Sequence, residues 1–464
     1  MNRRFRAGGS HRHPGIVLVA VLVAGCASTT PTPSPSVAPP TAAPPSLAAS
    51  IPAGPSAAPS ASSSAPASSA APSASATIGG GSVSGFTTTP PLAEGAAWTS
   101  IAWQPLAAGD PLASVTDMVR VPSGGWVAWA NPVALTPTTS ASPAWSSTDG
   151  ATWNPLPAGT FGPAGVIVAL GPLKDRLLAL TMTGGANSCS DNPIPSCWTL
   201  AGPLHAWTST DGAAWTPATA PSLELPMICD DCGSDVPGVA FGGPGALVFV
   251  PGPGDRQMSL TGDGTTWTGV PANALPRRFQ FARVDTFGNQ LVAVGDDGRS
   301  PARAEVATST DGVAWHPSIL PDQKHPDEGA DGQSLLAGAK GVLVDGSTQD
   351  VPGRALSWSS TDLATWHNVG GYAPLGVWTG EGEGSGLLSD GVVAADGQRL
   401  LAFTNDGRVK SWTSTDGRTW TVVPSTGLTA QAAHSWPDVD LSLLPVGALM
   451  KDQAGASWLG VPSS

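Results

Sequence analysis

A seven-residue motif that ends in tryptophan recurs along most of the chain and constrains the fold more than any other feature. Its clearest copy reads Ser-Thr-Asp-Gly-Ala-Thr-Trp at Ser147–Trp153. A shortened copy, Trp98–Trp103, lacks Thr-Asp-Gly. The closing tryptophans stand at positions 103, 153, 215, 267, 315, 366 and 420, at spacings of 48 to 62 residues. Such spacing indicates an array of similar units, each too small to bury a core alone.

Each copy of the motif is predicted to form a β-hairpin. Thr-Asp-Gly suits a three-residue loop, in which a type I turn is followed by a left-handed glycine, and the aspartate can accept hydrogen bonds from the turn amides. A second tryptophan precedes the closing one by eight residues in four copies, as Trp145, Trp207, Trp358 and Trp412. A three-residue loop would set Trp145 opposite Trp153. Leu363 replaces the turn glycine in one copy, so a distorted turn is expected there.

A second pair of apolar strands lies upstream of every hairpin, as at Thr116–Val121 and Trp126–Ala130. Four strands in about 50 residues, without helical periodicity, are typical of a propeller blade. Six full units lie between Leu112 and Val423. A seventh blade would combine strands 439–444, 448–451 and 457–460 with hairpin strands at 98–106, so that both chain ends close the ring. The predicted fold is therefore all-β, a seven-bladed β-propeller of four-stranded antiparallel blades.

The motif resembles the Asp-box (BNR) repeat of sialidases, sortilin-type receptors and bacterial surface propellers, whose pattern is Ser-x-Asp-x-Gly-x-x-Trp. The likeness covers about residues 97–423, although this chain has one residue fewer between Asp and Gly. The resemblance implies that the motif aspartates are structural and lie away from the ligand face. They are Asp149, Asp211, Asp263, Asp311, Asp362 and Asp416.

A divergent sialidase-like glycoside hydrolase is the alternative function that this resemblance raises. Such an enzyme would need an arginine cluster, a tyrosine nucleophile with a glutamate partner, and an acid/base carboxylate. Arg120-Val-Pro is faintly similar to the Arg-Ile-Pro of those enzymes, but it runs directly into a predicted turn at Ser123. The only tyrosine, Tyr372, is predicted in a loop. No catalytic residue, metal or cofactor is assigned, and a binding module is favoured over an enzyme.

The first 25 residues are typical of an export signal. Four arginines precede an apolar run, Gly15 to Gly25, that is too short to span a bilayer as a helix. Val23-Ala-Gly-Cys26 resembles a bacterial lipobox, which implies cleavage before Cys26 and lipidation of its thiol. A plain secretory signal is the alternative. The expected location is extracytoplasmic, with the protein lipid-anchored to the bacterial cell membrane at the surface or in the periplasm.

The next region, 26–92, is rich in Pro, Ser, Ala and Thr and has no charged residue after Cys26. It cannot bury enough apolar surface to offset the entropy of ordering, so a disordered tether is expected. The predicted domains are thus 1–25, 26–92 and a propeller at 93–464. Residues 26–464 carry 17 basic and 34 acidic side chains, a net charge of −17. With no basic cluster apparent, nucleic acid is not an expected partner, and a monomer is expected.

Four cysteines remain besides Cys26: Cys189, Cys197, Cys229 and Cys232. An even number in an exported protein predicts two disulfides. Of the three possible connectivities, the pairing of neighbours, Cys189–Cys197 and Cys229–Cys232, is favoured. A zinc site and a redox motif at Cys229-Asp-Asp-Cys232 are the alternatives, but the spacing between the pairs fits no zinc pattern and no helix follows the second pair.

The connections between predicted strands differ in length in a way that points to one face. With the strands of a blade named a to d, the a–b and c–d turns share one face of the ring and the b–c and d–a connections share the other. Variation is concentrated in the second set, at 131–143, 183–205, 221–236, 320–333, 370–386 and 424–437. Variable loops on a rigid scaffold commonly carry binding, so this long-loop face is the predicted binding face.

Six side chains on these loops are the candidate binding residues, because aromatic platforms with acidic groups suit a sugar, peptide or cation. They are Tyr372, Trp378, Glu381, Glu383, His434 and Trp436. Solvated loops with packed tryptophans are the alternative interpretation. The expected function is binding of a polymer or protein partner, a glycan or an envelope protein, by a membrane-anchored propeller.

Overall fold

Strand pairing arranges the chain as seven antiparallel sheets, and the predicted β-propeller is confirmed. The structure is a computed structural model that describes residues 84–93, 98–130, 141–163, 165–186, 198–223, 225, 228–229, 237–250, 257–271, 273–276, 278–321, 329–348, 355–369, 391–405, 409–428, 439–452 and 456–463. Cys26 and the predicted export signal lie outside these residues. A 3₁₀ turn, Pro111–Ser114, is the one helical segment within them, and none of their helices could cross a membrane.

Six blades consist of four consecutive strands, named a to d from the ring axis outward. Blades 1 to 3 contain Val115–Arg120, Trp126–Ala130, Ala144–Ser147 and Thr152–Pro155; Gly165–Pro172, Leu177–Ala186, Trp198–Ser209 and Thr216–Ala218; and Gly238–Gly242, Gly245–Val250, Gln257–Thr261 and Thr268–Val270. Blades 4 to 6 contain Gln280–Phe287, Gln290–Asp296, Ala304–Ser309 and His316–Ile319; Ala330–Ala337, Val342–Thr348, Ala355–Ser360 and His367–Asn368; and Gly391–Ala395, Leu400–Asn405, Val409–Ser414 and Thr421–Val423.

Blade 7 is built from both ends of the chain. Its strands a to c are Val439–Leu444, Gly447–Asp452 and Ser457–Ser463, and strand d is Ser100–Pro105. A short strand, Ser425–Thr426, pairs in parallel with the outer edge. The joint blade was predicted, but the hairpin at 98–106 is wrong, because the chain forms a single strand there. Without Thr-Asp-Gly the segment has no turn residues and remains extended.

Contacts between neighbouring blades close the ring and form its core. Strand a of every blade contacts strand a of both neighbours, including blades 7 and 1. An apolar cluster lies at each of the seven interfaces, and that between blades 7 and 1 contains Val115, Leu444 and Leu449. Ile101, on the strand from the N-terminal side, is fully buried against blade 6. The hydrophobic effect therefore acts mainly between blades.

Nine residues that were predicted to end the tether, 84–92, contact the propeller. Phe86–Thr87 pairs antiparallel with strand d of blade 1. The Phe86 ring stacks on Trp153 at a centroid distance of 5.5 Å and meets Trp145 edge-on at 5.3 Å. Phe86 is the only aromatic residue between Cys26 and Trp98, and it gives this segment the apolar surface that the rest of the predicted tether lacks.

The c–d turns, which we call Asp turns, share one hydrogen-bonded geometry. In blade 1, the amides of Ala151 and Thr152 each donate to Asp149 Oδ1 at 2.8 Å. The Ser147 hydroxyl donates to Asp149 Oδ1 at 2.9 Å and accepts from the Gly150 amide at 2.8 Å. These amide bonds hold the pKa of Asp149 at about 2, well below its ordinary value. The same amide contacts occur at Asp211, Asp263, Asp311, Asp362 and Asp416.

The Asp turns also contact the preceding blade, which explains the small residue at their tip. Gly212 has a φ of +74°, and a Cβ placed on it would lie 2.6 Å from Val127 of blade 1. In the same contact, the Ser123 hydroxyl of the blade 1 a–b turn donates to the Thr210 carbonyl at 2.6 Å. The a–b and c–d turns therefore share one face, which we call the Asp-turn face.

The predicted pairing of Trp145 opposite Trp153 is wrong. Trp145 lies opposite Pro155, and Trp207 lies opposite Pro217 in the equivalent position of blade 2. The two amides after the turn glycine donate to the aspartate rather than across the hairpin. Trp153 consequently lies two residues nearer the turn than Pro155, the residue that faces Trp145.

The expected distortion of the turn at Leu363 is also absent. The amides of Ala364 and Thr365 donate to Asp362 Oδ1 at 2.9 and 2.7 Å, as in the glycine copies. Leu363 adopts the glycine conformation with a φ of 62°, and its side chain is buried in the cluster between blades 4 and 5. Burial of the side chain offsets the backbone strain of a left-handed leucine.

Candidate functional site

The b–c and d–a connections leave the ring at the end opposite the Asp turns. In blade 2, Ala186 at the end of strand b pairs with Trp198 at the start of strand c. Cys229, in the connection to blade 3, pairs with Thr199 on the same strand. Strands b and c are thus longer than predicted, and the connection between them shrinks from 183–205 to 187–197. The two connections that carry the four cysteines start from one end of blade 2.

Most of the predicted site residues lie outside the described residues. This applies to the candidate binding residues Tyr372, Trp378, Glu381, Glu383, His434 and Trp436, and to Cys189, Cys197 and Cys232. Cys229 is placed through its backbone alone. These assignments remain predictions.

The described part of the long-loop face contains a charged cleft of about 410 Å³ at the end of blade 4. Its walls come from the d–a connection before Gln280–Phe287, the b–c connection after Gln290–Asp296, and the neighbouring ends of strands c and d. The side chains that line it include Arg278, Asp297, Arg299, Arg303, Glu305 and Ile319. Three guanidinium groups and two carboxyl groups therefore face one space.

Arg278 is held in the cleft wall by an unusual backbone. It has a φ of 75°, and Leu363 is the only other non-glycine residue with positive φ in the described part of the chain. Phe279 is fully buried, and its amide donates to the Pro276 carbonyl at 3.1 Å. Left-handed backbone costs an arginine free energy, so the surrounding contacts must hold this residue in place.

The two connections that form the cleft touch at a glycine. Gly298 has a φ of +59°, and a Cβ placed on it would lie 2.3 Å from the Arg278 carbonyl oxygen. The Gly298 amide donates to Asp296 Oδ1 at 2.7 Å, which fixes the tip of the b–c connection. Only glycine allows the backbone of Arg278 to approach this closely.

Asp297 organises two of the three arginines. Its side chain is only 7% exposed, and its Oδ2 lies 2.7 Å from Arg303 Nε and 3.3 Å from Arg299 Nε. Its Oδ1 accepts from the Arg303 and Arg299 amides at 3.0 and 3.3 Å. Burial acts to raise the pKa of Asp297, but these hydrogen bonds outweigh it and lower the pKa. Asp297 therefore stays ionised and aligns both guanidinium groups.

Glu305 is the buried carboxyl group of the cleft. It is 8% exposed, and its neighbours across the sheet are Gly295 on strand b and Ile319 on strand d. Neither neighbour has a polar side chain, and no donor among the described residues reaches the Glu305 carboxylate. Burial raises the pKa of Glu305, and the nearby charge of Asp297 raises it further.

This arrangement can bind an anion and can exchange hydrogen bonds with a neutral polar group. Planar guanidinium groups pair with carboxylate or phosphate through two parallel hydrogen bonds. Within the described ranges, no group of three His, Cys, Asp or Glu side chains could hold a metal ion. Carboxylates on the innermost strands are bonded within their own blades: Asp285 pairs with Arg283 at 3.4 Å, and Asp331 accepts from Ser347 at 3.1 Å.

Sequence reasoning missed this cleft. Five of the 21 basic residues lie within 27 positions, at Arg277, Arg278, Arg283, Arg299 and Arg303. That density was the available signal. The sequence does not reveal that three of them, from two separate connections, face one space.

No protein-family model and no curated protein matches the chain. Solved structures similar to it include a streptogramin B lyase, at 12% identity and a TM-score of 0.40, over 79% of this chain and 100% of that one. An acylaminoacyl peptidase of Pyrococcus horikoshii matches at 11% identity and a TM-score of 0.38, over 71% of this chain and 47% of that one. The β-propeller domain of the Trilobed protease from Pyrococcus furiosus matches at 7% identity and a TM-score of 0.33, over 62% of this chain and 79% of that one. The strand pairing of this chain itself makes it a seven-bladed β-propeller.

Proposed function

We propose that this protein is a membrane-anchored extracytoplasmic propeller that binds a glycan or an envelope protein through its long-loop face. The observation that carries the proposal is the charged cleft of blade 4, which opens on that face. The opposite face is occupied by Asp turns whose carboxylates are already bonded to their own amides. Binding groups with unused hydrogen-bonding capacity therefore occur on the side where the connections vary most.

The resemblance of the Asp turns to Asp-box repeats supports the same division of roles. In that family the repeated turn is structural and lies away from the ligand. The hydrogen bonds of Asp149 and Asp311 fit such a role. We accordingly assign the folding role to the Asp turns and recognition to the other face.

Cys26 supports anchoring, and the anchor can be tested separately from binding. We expect the wild-type protein to sediment with the membrane fraction and Cys26→Ala to be released into the soluble fraction. Mass spectrometry of the wild-type N-terminal peptide should show an acylated Cys26. An unmodified Cys26, with equal sedimentation of both proteins, would contradict the anchor.

Binding is tested by affinity capture from envelope extracts. We expect the double variant Trp378→Ala/Trp436→Ala to lose the captured material while its thermal unfolding is unchanged. The matched control is Val313→Arg, because Val313 is 45% exposed beside an Asp turn on the other face. If the double variant still captures the material, Trp378 and Trp436 are not the binding residues. If Val313→Arg abolishes capture, the binding surface lies on the Asp-turn face instead.

A further inference from the structure

The cleft of blade 4 contains hydrogen-bonding capacity that the described residues do not use. The Arg278 guanidinium has no ion pair among them, and the terminal nitrogens of Arg303 make no hydrogen bond there, since only its Nε meets Asp297. Glu305 is more than nine-tenths buried and faces the same cleft without a donor. A group that fills the cleft can therefore bond to Glu305 as well as to the arginines.

The three arginines define the charge of that group. Asp297 holds the Nε side of Arg299 and Arg303, which leaves their outer edges directed away from it. Arginine edges held in this way favour an anion that accepts two parallel hydrogen bonds, such as a carboxylate or a phosphate. A fixed geometry also reduces the side-chain entropy that binding must overcome.

The remaining walls define what accompanies the carboxylate. Ile319 is 37% exposed and gives the cleft an apolar wall, which suits the C–H face of a ring. Glu305 can accept from a hydroxyl when ionised and can donate to one when protonated. A cleft of about 410 Å³ is of the size that proteins use for small ligands.

We propose that this cleft binds a uronic-acid unit of an acidic glycan, with its carboxylate against Arg278, Arg299 and Arg303 and a ring hydroxyl against Glu305. The inference rests on the proposed function and specifies the ligand class for one part of the long-loop face. An acidic sugar provides an anion, hydroxyl groups and an apolar ring face within one unit. An acidic peptide provides an anion and N–H donors, but its carboxylate side chains carry no ring face to lie against Ile319.

The test is calorimetric titration of the protein with trigalacturonate. We expect Arg278→Gln/Arg299→Gln to weaken binding by more than about tenfold, because the change removes charged hydrogen bonds to the ligand carboxylate. Both side chains are exposed, so folding should be retained, as thermal unfolding will show. The matched control is Arg176→Gln, which removes an arginine paired with Asp175 in an a–b turn on the Asp-turn face; it should bind as the wild type does.

A second readout uses Glu305, which faces Asp297, Arg299 and Arg303, with Asp296 nearby. Ionisation of Glu305 adds a negative charge next to an anionic ligand, so wild-type affinity should fall as the pH rises through its pKa. Glu305→Gln should remove that dependence. An unchanged pH profile in Glu305→Gln would overturn the placement of the ligand.

Three further outcomes reject the inference, and they can be told apart from failure of the proposed function. Equal binding of methyl-esterified trigalacturonate would exclude recognition of the carboxylate. Equal binding of triglutamate would show that the cleft recognises the carboxylate without requiring a sugar ring. Wild-type protein that captures envelope material but binds no trigalacturonate would leave the proposed function standing, whereas failure to capture anything would remove both.

Discussion

Two non-glycine residues adopt left-handed backbone in the described part of the chain, and they do so for different reasons. Leu363 replaces the glycine of an Asp turn, and its side chain fills the interface of blades 4 and 5. Arg278 lies at the cleft, where no repeated turn requires the conformation. Strain of this kind concentrates at binding sites. At the residue scale, therefore, the strain at Leu363 has a packing explanation, and the strain at Arg278 supports the proposed role of its side chain in binding.

Leu363→Gly tests the packing explanation. The change relieves about 1–2 kcal/mol of strain but removes a buried leucine side chain, which costs about 2–5 kcal/mol. We expect the free energy of unfolding to fall by about 0–4 kcal/mol in denaturant titration. The reverse change, Gly212→Leu, should be strongly destabilising because Val127 occupies the space. A stabilised Leu363→Gly protein would contradict the packing explanation.

The Asp turns predict how stability depends on pH. Hydrogen bonds from turn amides lower the pKa of these aspartates in the folded state, to about 2 for Asp149, whereas the unfolded value is about 3.9. Their contribution is therefore complete above the unfolded pKa and is lost as the pH falls through the folded pKa. We expect the midpoint temperature of unfolding to decrease as the pH drops below about 4. The decrease should be smaller in Asp311→Asn than in the wild type. Equal acid sensitivity of the two proteins would contradict this prediction.

At the scale of the element, the repeat determines what could be predicted. Tryptophans about 50 residues apart were sufficient to predict blades and their closure by both chain ends. The register of the c–d hairpins was wrong because the turn amides bond to aspartate. The outer strand at Phe86 was missed because one aromatic residue in a Pro- and Ser-rich segment gives no periodicity. Local hydrogen bonds and single contacts are decided by tertiary structure, which composition does not reveal.

The closing strand of blade 7 can be tested by one substitution. Ile101 is fully buried between blades 6 and 7, so Ile101→Ala should reduce the free energy of unfolding by about 2–5 kcal/mol. Val422 is 53% exposed on the outer strand of blade 6, and Val422→Ala should change stability by less than about 0.5 kcal/mol. Denaturant titration of both variants compares them. An Ile101→Ala protein as stable as the control would mean that Ser100–Pro105 does not close the ring.

The cysteine connectivity is open to direct mapping. The favoured bridges are Cys189–Cys197 and Cys229–Cys232, and the register places Cys229 beside Thr199, two residues after Cys197. Cleavage before aspartates, at Asp191, Asp230 and Asp231, separates the cysteines of each predicted pair. Non-reducing mass spectrometry should then find Cys189 joined to Cys197 and Cys229 joined to Cys232. A Cys197–Cys229 peptide would instead show that a bridge joins the two connections.

At the scale of the whole molecule, ring closure separates two faces with different chemistry. The Asp-turn face bonds its aspartates internally and packs its turns on the preceding blade. The long-loop face carries the variable connections and the cleft of blade 4. Variation in the lengths of the connections predicted which face would carry the binding surface, but the cleft itself could not be predicted. Its arginines become neighbours only through the pairing of Ala304–Ser309 with Gln290–Asp296 and the close approach of Gly298 to Arg278.

Hydrogen–deuterium exchange tests the central claim, that partners bind the long-loop face, most directly. Exchange would be measured for each peptide with and without the envelope polysaccharide fraction that the protein captures. We expect slower exchange in the bound state for peptides that cover 273–279 and 296–303, and unchanged exchange for the Asp turns at 148–151 and 310–313. Slower exchange confined to the Asp turns, with the b–c and d–a connections unaffected, would contradict the account.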